Sequence, residues 1–335
     1  MKLSYIPGLK PVVLRELNEH NLDQLYESED SIYVHFSEEL IPKVKTLRSI
    51  ARAYLVSQNE KYNPAYIANH KSILGDLLEI IIAHHVFTTF KITCAGAESP
   101  EVRSVTRYVT DTFGLREAEE ADLKIHIIKV GGTWEIGAQI TPRPLSVRTY
   151  KVAHMSGAMD PTIAYAVNSF CNLESARSYM NAFSGSGTLL IEAAECHPNL
   201  EQLIGFDNDK EHLSLSIQNI KKAGLIRRIQ VKEADVYAMP DLGMFDAITS
   251  DLPFGMAVSK DEDLEKLYTA FIAYCEQALN EGGRLVIYTS EYELMESILD
   301  KSNFKTIQTL QLKLITNVNA YLWPKIFVCE RVASK

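Results

Sequence analysis

The chain has 335 residues, is 46% hydrophobic and 23% charged, and carries a formal net charge of −9. That length suits two or three domains, and the composition is that of an ordinary globular protein, which excludes fibrous, disordered and disulfide-stapled classes. No stretch approaches the ~20 apolar residues that span a bilayer, and the first residues lack a signal-peptide core, so a cytoplasmic protein is expected.

Five cysteines (Cys94, Cys171, Cys196, Cys275 and Cys329) form no C-x-x-C pair and are odd in number. They argue against a disulfide framework and against structural zinc, and no metal is expected. The negative charge is uneven: residues 1–155 hold 18 basic against 19 acidic side chains, and residues 156–335 hold 16 against 24. Between Glu135 and Asp160 there is no acid at all, while Arg143, Arg148 and Lys151 fall there. A local basic strip and a chance gap in a loop are both open readings of that interval.

In chain order, the pattern predicts a helix near Pro11–His20, a strand near Ser31–Phe36 and a long helix over Ile67–Phe90. A strand Phe90–Cys94, a helix Ser99–Thr112 and a strand pair Leu123–Val130 and Thr133–Gln139 around Gly131-Gly132 follow. This half is α+β, and Thr141-Pro142-Arg143-Pro144 reads as a linker. The second half alternates strand and helix. Strands are expected at Tyr179–Phe183, Gln202–Asp207, Ile229–Ala234, Phe245–Asp251 and Arg284–Thr289. Helices are expected at Leu189–Cys196, Lys210–Lys222, Asp263–Leu279 and Glu291–Lys301. Two consecutive strands, Lys305–Leu314 and Ala320–Glu330, close the chain as a hairpin through Thr316–Asn319. Five βα steps imply a mainly parallel sheet with an antiparallel edge.

Four motifs fall at the carboxyl ends of these strands, where open α/β sheets bind ligands. The first is Phe183-Ser184-Gly185-Ser186-Gly187-Thr188, where two glycines allow close approach to a ligand at a helix N-terminus. It lacks the lysine of a phosphate-gripping P-loop. Leu190 at the third position of G-x-G-x-x-G weakens a dinucleotide reading without removing it. A loop of this kind suffices for the amino-acid end of S-adenosylmethionine. The second motif is Gly205-Phe206-Asp207, with Asp207 20 residues after Gly187, the spacing at which an acid hydrogen-bonds ribose. The third is Ala234-Asp235-Val236, where Asp235 is either a cap or an acceptor for an adenine amine. The fourth is Asp251-Leu252-Pro253-Phe254, followed by Gly255: a carboxylate, a rigid proline and an aromatic ring suited to a flat base with an exocyclic amine.

Together these residues resemble the class I S-adenosylmethionine-dependent methyltransferases, and within them the THUMP-domain RNA guanine-N2 methyltransferases. Gly185-Ser186-Gly187-Thr188 and Ile191-Glu192-Ala193-Ala194 match the family's first loop and helix. Asn181, Ala182 and Ser184 stand where the family has Asp, Pro and Cys. The Asp-Leu-Pro-Phe-Gly form is similar to members that act on tRNA. Phe90–Tyr150 resembles a divergent THUMP domain, Pro7-Gly8-Leu9 with Leu14-Arg15-Glu16-Leu17 a ferredoxin-like module, and Leu145–Ala166 the lead into the catalytic domain.

The resemblance implies a Rossmann-like domain, with a seven-stranded, mostly parallel sheet and an antiparallel edge hairpin, over 151–335. A ferredoxin-like module over 1–55 and a THUMP region over 56–150 would precede it. It implies S-adenosylmethionine held by Asn181, Ser184, Gly185, Ser186, Gly187, Thr188, Asp207, Asn208, Asp235 and Val236. Asp251, Leu252, Pro253 and Phe254 would hold and aim a guanosine amine in tRNA, with Arg143, Arg148 and Lys151 as RNA contacts and a monomer as the working form. A ribosomal-RNA guanine-N2 methyltransferase, a nucleic-acid adenine-N6 methyltransferase and a non-catalytic RNA-binding protein remain alternatives.

Overall fold

Strand β1 (Lys2–Ser4) pairs with residues from two distant stretches, and this sets up the first sheet. The computed structural model describes residues 1–254, 263–317 and 320–332. They form two units, residues 1–5 with 14–146 and residues 6–13 with 147–335.

The first unit carries, in order, α1 (Lys10–Glu19, which starts in the second unit), β2 (Gln24–Glu27), β3 (Ser31–Val34), α2 (Leu40–Val44), β4 (Arg52–Asn59) and α3 (Lys71–His84). Then come β5 (Thr89–Cys94), α4 (Pro100–Phe113), β6 (Arg116–Glu117), β7 (Leu123–Val130) and β8 (Thr133–Gln139). One eight-stranded sheet runs β2-β3-β1-β4-β8-β7-β5-β6. β7 alternates, with Leu123, Ile125 and Ile127 inward, as a half-buried strand must. Its partner β8 follows a turn that needs positive φ at both Gly131 (+54°) and Gly132 (+97°). α4 is capped by Ser99 on the Val102 amide and stopped by Gly114 in the left-handed region.

Two differences from the sequence reading stand out here. β4 spans the expected boundary at residue 55 and pairs with β1 on one side and β8 on the other, so one sheet joins residues on both sides of it. The helix expected over 67–90 is shorter. Residues 64–70 form a 3-10 turn, and α3 ends at His84 because His85 is extended and the Thr88 and Thr89 amides turn to the Asp122 carboxylate, both at 2.9 Å.

The second unit holds α5 (Pro161–Asn168), β9 (Ser178–Ala182), α6 (Thr188–Cys196), β10 (Gln202–Asp207), α7 (Lys210–Lys222), β11 (Ile229–Glu233) and β12 (Phe245–Asp251). After these come α8 (Leu264–Ala278), β13 (Leu279–Thr289), α9 (Tyr292–Leu299), β14 (Phe304–Gln311), β15 (Leu314–Asn317), β16 (Ala320–Leu322) and β17 (Lys325–Arg331). The sheet order is β11-β10-β9-β12-β13-β17-β14. β9 to β13 are parallel, and β17 enters antiparallel between β13 and β14. Phe206, Phe245, Tyr268, Phe271 and Phe327 fill the core. Asn181 lies opposite Gly205 and Thr249, and Asp251 opposite Tyr288, so the carboxyl ends of β9, β10, β12 and β13 share one edge.

The last hairpin differs from the two long strands expected. β14 and β17 belong to the main sheet, while β15 and β16 form a separate two-stranded ribbon. The break falls at buried Leu312, whose amide donates to the Pro324 carbonyl at 2.9 Å, and at Lys313, whose amide donates to Pro7 at 3.0 Å. Pro324 itself has no amide to continue a ladder. Val318 and Asn319 of the expected connection lie outside the described residues.

Candidate active site

β9 ends in a turn that only a special backbone can make. Phe183 has φ +54°, Gly185 +50° and Gly187 +81°. A Cβ on Gly187 would overlap the Ser216 hydroxyl, and one on Gly205 would overlap Leu190, so Gly187 is set by close approach as well as by dihedral and Gly205 by close approach alone. Phe183 is the non-glycine in this strained region, and its ring packs edge-on against Phe271 at 5.8 Å. The loop is pinned by Ser184 N to Phe206 O (2.7 Å) and Gly187 N to Ser184 O (2.8 Å).

Asn219, which sequence reasoning missed, ties the loop to residues 152–153. Its Oδ1 accepts from the amides of Val152 (3.0 Å) and Ala153 (2.9 Å), and its Nδ2 donates to Ala153 O and Ser186 O, both at 3.1 Å. Every donor and acceptor of that amide is used. An asparagine at helical spacing from Leu213 and Ser216, on the inward face of the amphipathic pattern Lys210–Lys222, was the available signal.

Around the same loop three buried side-chain atoms have no hydrogen-bond partner among the described residues: Asn181 Oδ1, Ser184 Oγ and Ser216 Oγ. Buried polar atoms are normally paired, and leaving one unpaired costs about 1–3 kcal/mol. Such a cluster beside a tight glycine turn fits a polar ligand. Asp207 is committed differently from the expectation of a ribose contact. Its Oδ2 accepts from Gly185 N at 2.8 Å, and its Oδ1 from Asp209 N at 3.0 Å and beside His212 at 3.2 Å. The carboxylate therefore shapes the glycine loop, with lone pairs left for a further donor. Asn208 is exposed beside it and Thr188 is buried. Asp235 is exposed and caps its own turn through Tyr237 N at 3.0 Å, and Val236 packs on the core.

β12 delivers Asp251 to this edge. The Leu252 amide donates to Tyr288 O at 3.0 Å, which fixes the chain direction as it leaves the sheet. The Pro253 carbonyl accepts from the Tyr268 hydroxyl at 2.7 Å, and that hydroxyl also meets Thr289 Oγ1 at 2.9 Å. Phe254 lies 5.7 Å from the Tyr288 ring, tilted by 58°. Gly255 lies outside the described residues. Removal from water pushes the Asp251 carboxyl up to about 7, against the opposing pull of Lys151. Lys151 is itself lowered, first by burial, while Asp160, Glu192 and Asp251 oppose that shift.

Two of the three cations expected on an RNA-facing strip are placed otherwise. Arg148 is 11% exposed and its Nε donates to the fully buried Glu192 at 3.0 Å, with Tyr150 OH donating to the same carboxylate at 2.8 Å. A carboxylate inside the apolar run Leu189–Ala194 requires a cation, and Arg148 is that cation. Lys151 is partly buried near Asp251 and donates to Met159 O at 2.8 Å. Arg143 is exposed. Among the described residues no group of three or more His, Cys, Asp or Glu could hold a metal, and no helix is long and apolar enough to cross a membrane.

A parallel sheet in this order, with an antiparallel final pair, a glycine turn after its first strand and an acid-x-proline-aromatic turn after its fourth, defines a class I methyltransferase fold. Residues 148–318 match the RMKL-like methyltransferase domain family, and the chain belongs to it. It is 27% identical over 241 residues to the tRNA (guanine(6)-N2)-methyltransferase of Thermus thermophilus, covering 70% of this chain and 68% of that protein. It is 26% identical over 215 residues to the U6 snRNA (guanine-N(2))-methyltransferase THUMPD2 of Bos taurus, covering 61% of this chain. The match spans 41% of the length of that bovine relative. The crystal structure of TrmN from Thermus thermophilus superposes with a TM-score of 0.74 at 21% identity, over 99% of each chain.

Proposed function

We propose that this protein transfers a methyl group from S-adenosylmethionine to the exocyclic N2 amine of a guanosine in tRNA. The observation that carries the reading is Asp251, a desolvated carboxylate on the same sheet edge as the strained glycine turn and its orphaned polar atoms.

The residues fit the cofactor. Asn181 Oδ1, Ser184 Oγ and Ser216 Oγ offer unpaired polar atoms, and the turn at Gly185, Ser186 and Gly187, leading into Thr188, admits a ligand close to the backbone. Asp207, Asn208, Asp235 and Val236 line the next two strand ends and would meet its nucleoside. When bound, S-adenosylmethionine supplies a methyl already activated on a sulfonium, so the protein's task is placement and charge. A target base must leave its stack to be reached. Phe254 then stacks on it, Asp251 accepts one amine hydrogen and the Leu252 carbonyl the other, which aims the nitrogen lone pair. Tyr268 holds the Pro253 carbonyl, so the turn keeps its shape as the base arrives. A carboxyl poised at about 7 can take the proton that the methylated nitrogen loses.

The first unit, with exposed Arg143, would bind folded RNA by shape and phosphate contacts. A tRNA substrate would place the protein in the cytoplasm, and we take it to act as a monomer. Names of similar proteins carrying guanine-N2 activity support guanine over adenine. The test is tritiated methyl transfer to tRNA, ribosomal RNA, small nuclear RNA and DNA, with mass spectrometry of the modified nucleoside. N2-methylguanosine in tRNA is expected. N6-methyladenosine, or no cofactor binding by calorimetry, would overturn the reading.

A further inference from the structure

The ribbon β15–β16 plays no part in the site above, yet it leaves the sheet at the catalytic edge. Asp251 is in register with Tyr288, and Tyr288 with Ile326, one residue into β17. The base of the ribbon therefore lies two strands from Asp251, about 10 Å at ordinary strand spacing.

The ribbon exposes aromatic surface. Tyr321 and Trp323 are each 48% exposed, their ring centroids 6.4 Å apart, and Ile315 is 79% exposed beside them. Lys313 Nζ lies over both rings, 5.0 Å from Tyr321 and 5.6 Å from Trp323. The base is rigid. Leu312 is fully buried, Lys313 N donates to Pro7 O, and Gln311 Nε2 donates to Trp323 O. Gly8, at φ +102°, packs so closely on Gln311 that a Cβ there would overlap its carbonyl oxygen. Charge points the same way. Residues 301–329 contain no Asp or Glu within an otherwise acidic half; Lys313 sits on the ribbon, while Lys325 at its base is paired with Glu296 at 2.6 Å.

We propose that the β15–β16 ribbon is a stacking platform for unpaired nucleotides of the RNA substrate that flank the target base. The proposal rests on the RNA reading above. Rigid aromatic rings beside lysine, without acidic neighbours in the segment, suit bases on a polyanionic backbone, because every base has a stackable face. Such a platform would hold the strand while the target nucleotide turns toward Phe254.

With unfractionated tRNA as methyl acceptor, the double variant Tyr321→Ala/Trp323→Ala should raise KM about 10-fold or more, the scale of losing base stacking, with kcat and calorimetric cofactor affinity unchanged. Trp323→Phe should recover most of the loss. An unchanged KM in the double variant would overturn the proposal. The wild-type protein with tRNA transcribed with 4-thiouridine gives a second reading that needs no variant. Photoadducts on Tyr321 or Trp323 are expected, and adducts confined to other segments overturn the platform. Wild-type protein that methylates no RNA would overturn the underlying reading instead, while the photoadducts still decide whether the ribbon binds RNA.

Discussion

Each unit holds one functionally telling carboxylate, and the pKa values of the two are shifted in opposite directions. In the first unit Glu135 is fully buried, and burial alone would raise its pKa. His126 (2.9 Å), Gln58 (2.7 Å), Lys2 (3.2 Å) and Tyr33 (2.8 Å) surround it and hold it down at about 2. In the second unit Asp251 is desolvated, with Lys151 as the opposing charge among the described residues, and rises to about 7. A carboxylate whose lone pairs are filled by the protein is a structural group. One held away from water with little compensation is poised to accept from something else.

The largest effect should follow from breaking the satisfied carboxylate. Glu135→Ala leaves Lys2 and His126 facing an empty position, and the first unit should lose about 3–5 kcal/mol in urea unfolding. Retained stability would mean that the network is ornamental. Next comes Asp251→Ala, which should cut methyl transfer by at least ~100-fold while calorimetric cofactor affinity stays put. Substantial residual turnover would move the amine-holding role away from Asp251.

The smallest effect, and the sharpest on the comparison, is in pH. Asp251 has a folded pKa of about 7, above its ordinary 3.8, so its stabilising contribution is complete below 3.8 and is lost as pH rises through 7. Asp251→Asn should therefore melt on the order of a few degrees higher than wild type at pH 8, with the gap closing toward pH 4. Glu135 runs the other way: its contribution is present above 4.5 and lost as pH falls toward 2. In the same frame kcat/KM of wild type should climb as pH passes through about 7, where Asp251 becomes an acceptor, and a flat profile would contradict that.

Much of the second unit was legible. The strands Gln202–Asp207 and Phe245–Asp251 and the helix Lys210–Lys222 have the bounds read from the pattern, because each is a continuous apolar or amphipathic run closed by local signals. The first unit was harder. β1 and β4 escaped notice since each is short or bland in sequence and owes its place to partners far along the chain, as in the pairing of Leu3 with Ala53. α5 was also missed, though Asp160 caps it and Pro161 opens it. Basic residues misled for a related reason. Arg148 reads as an RNA contact because nothing nearby in sequence is acidic, whereas its partner, Glu192, is 44 residues away.

By itself the amino-acid sequence determined the order of strands and helices from β9 to α9, the glycine turn and the acid-x-proline-aromatic turn. These are set by periodicity, backbone dihedrals and chemistry within a few residues. Tertiary structure alone decided that Asp207 would brace Gly185, that Arg148 would neutralise a buried glutamate, and that Asp251 would sit at about 7. Desolvation and pairing are sums over neighbours brought together by the sheet, and those neighbours are distant in the chain.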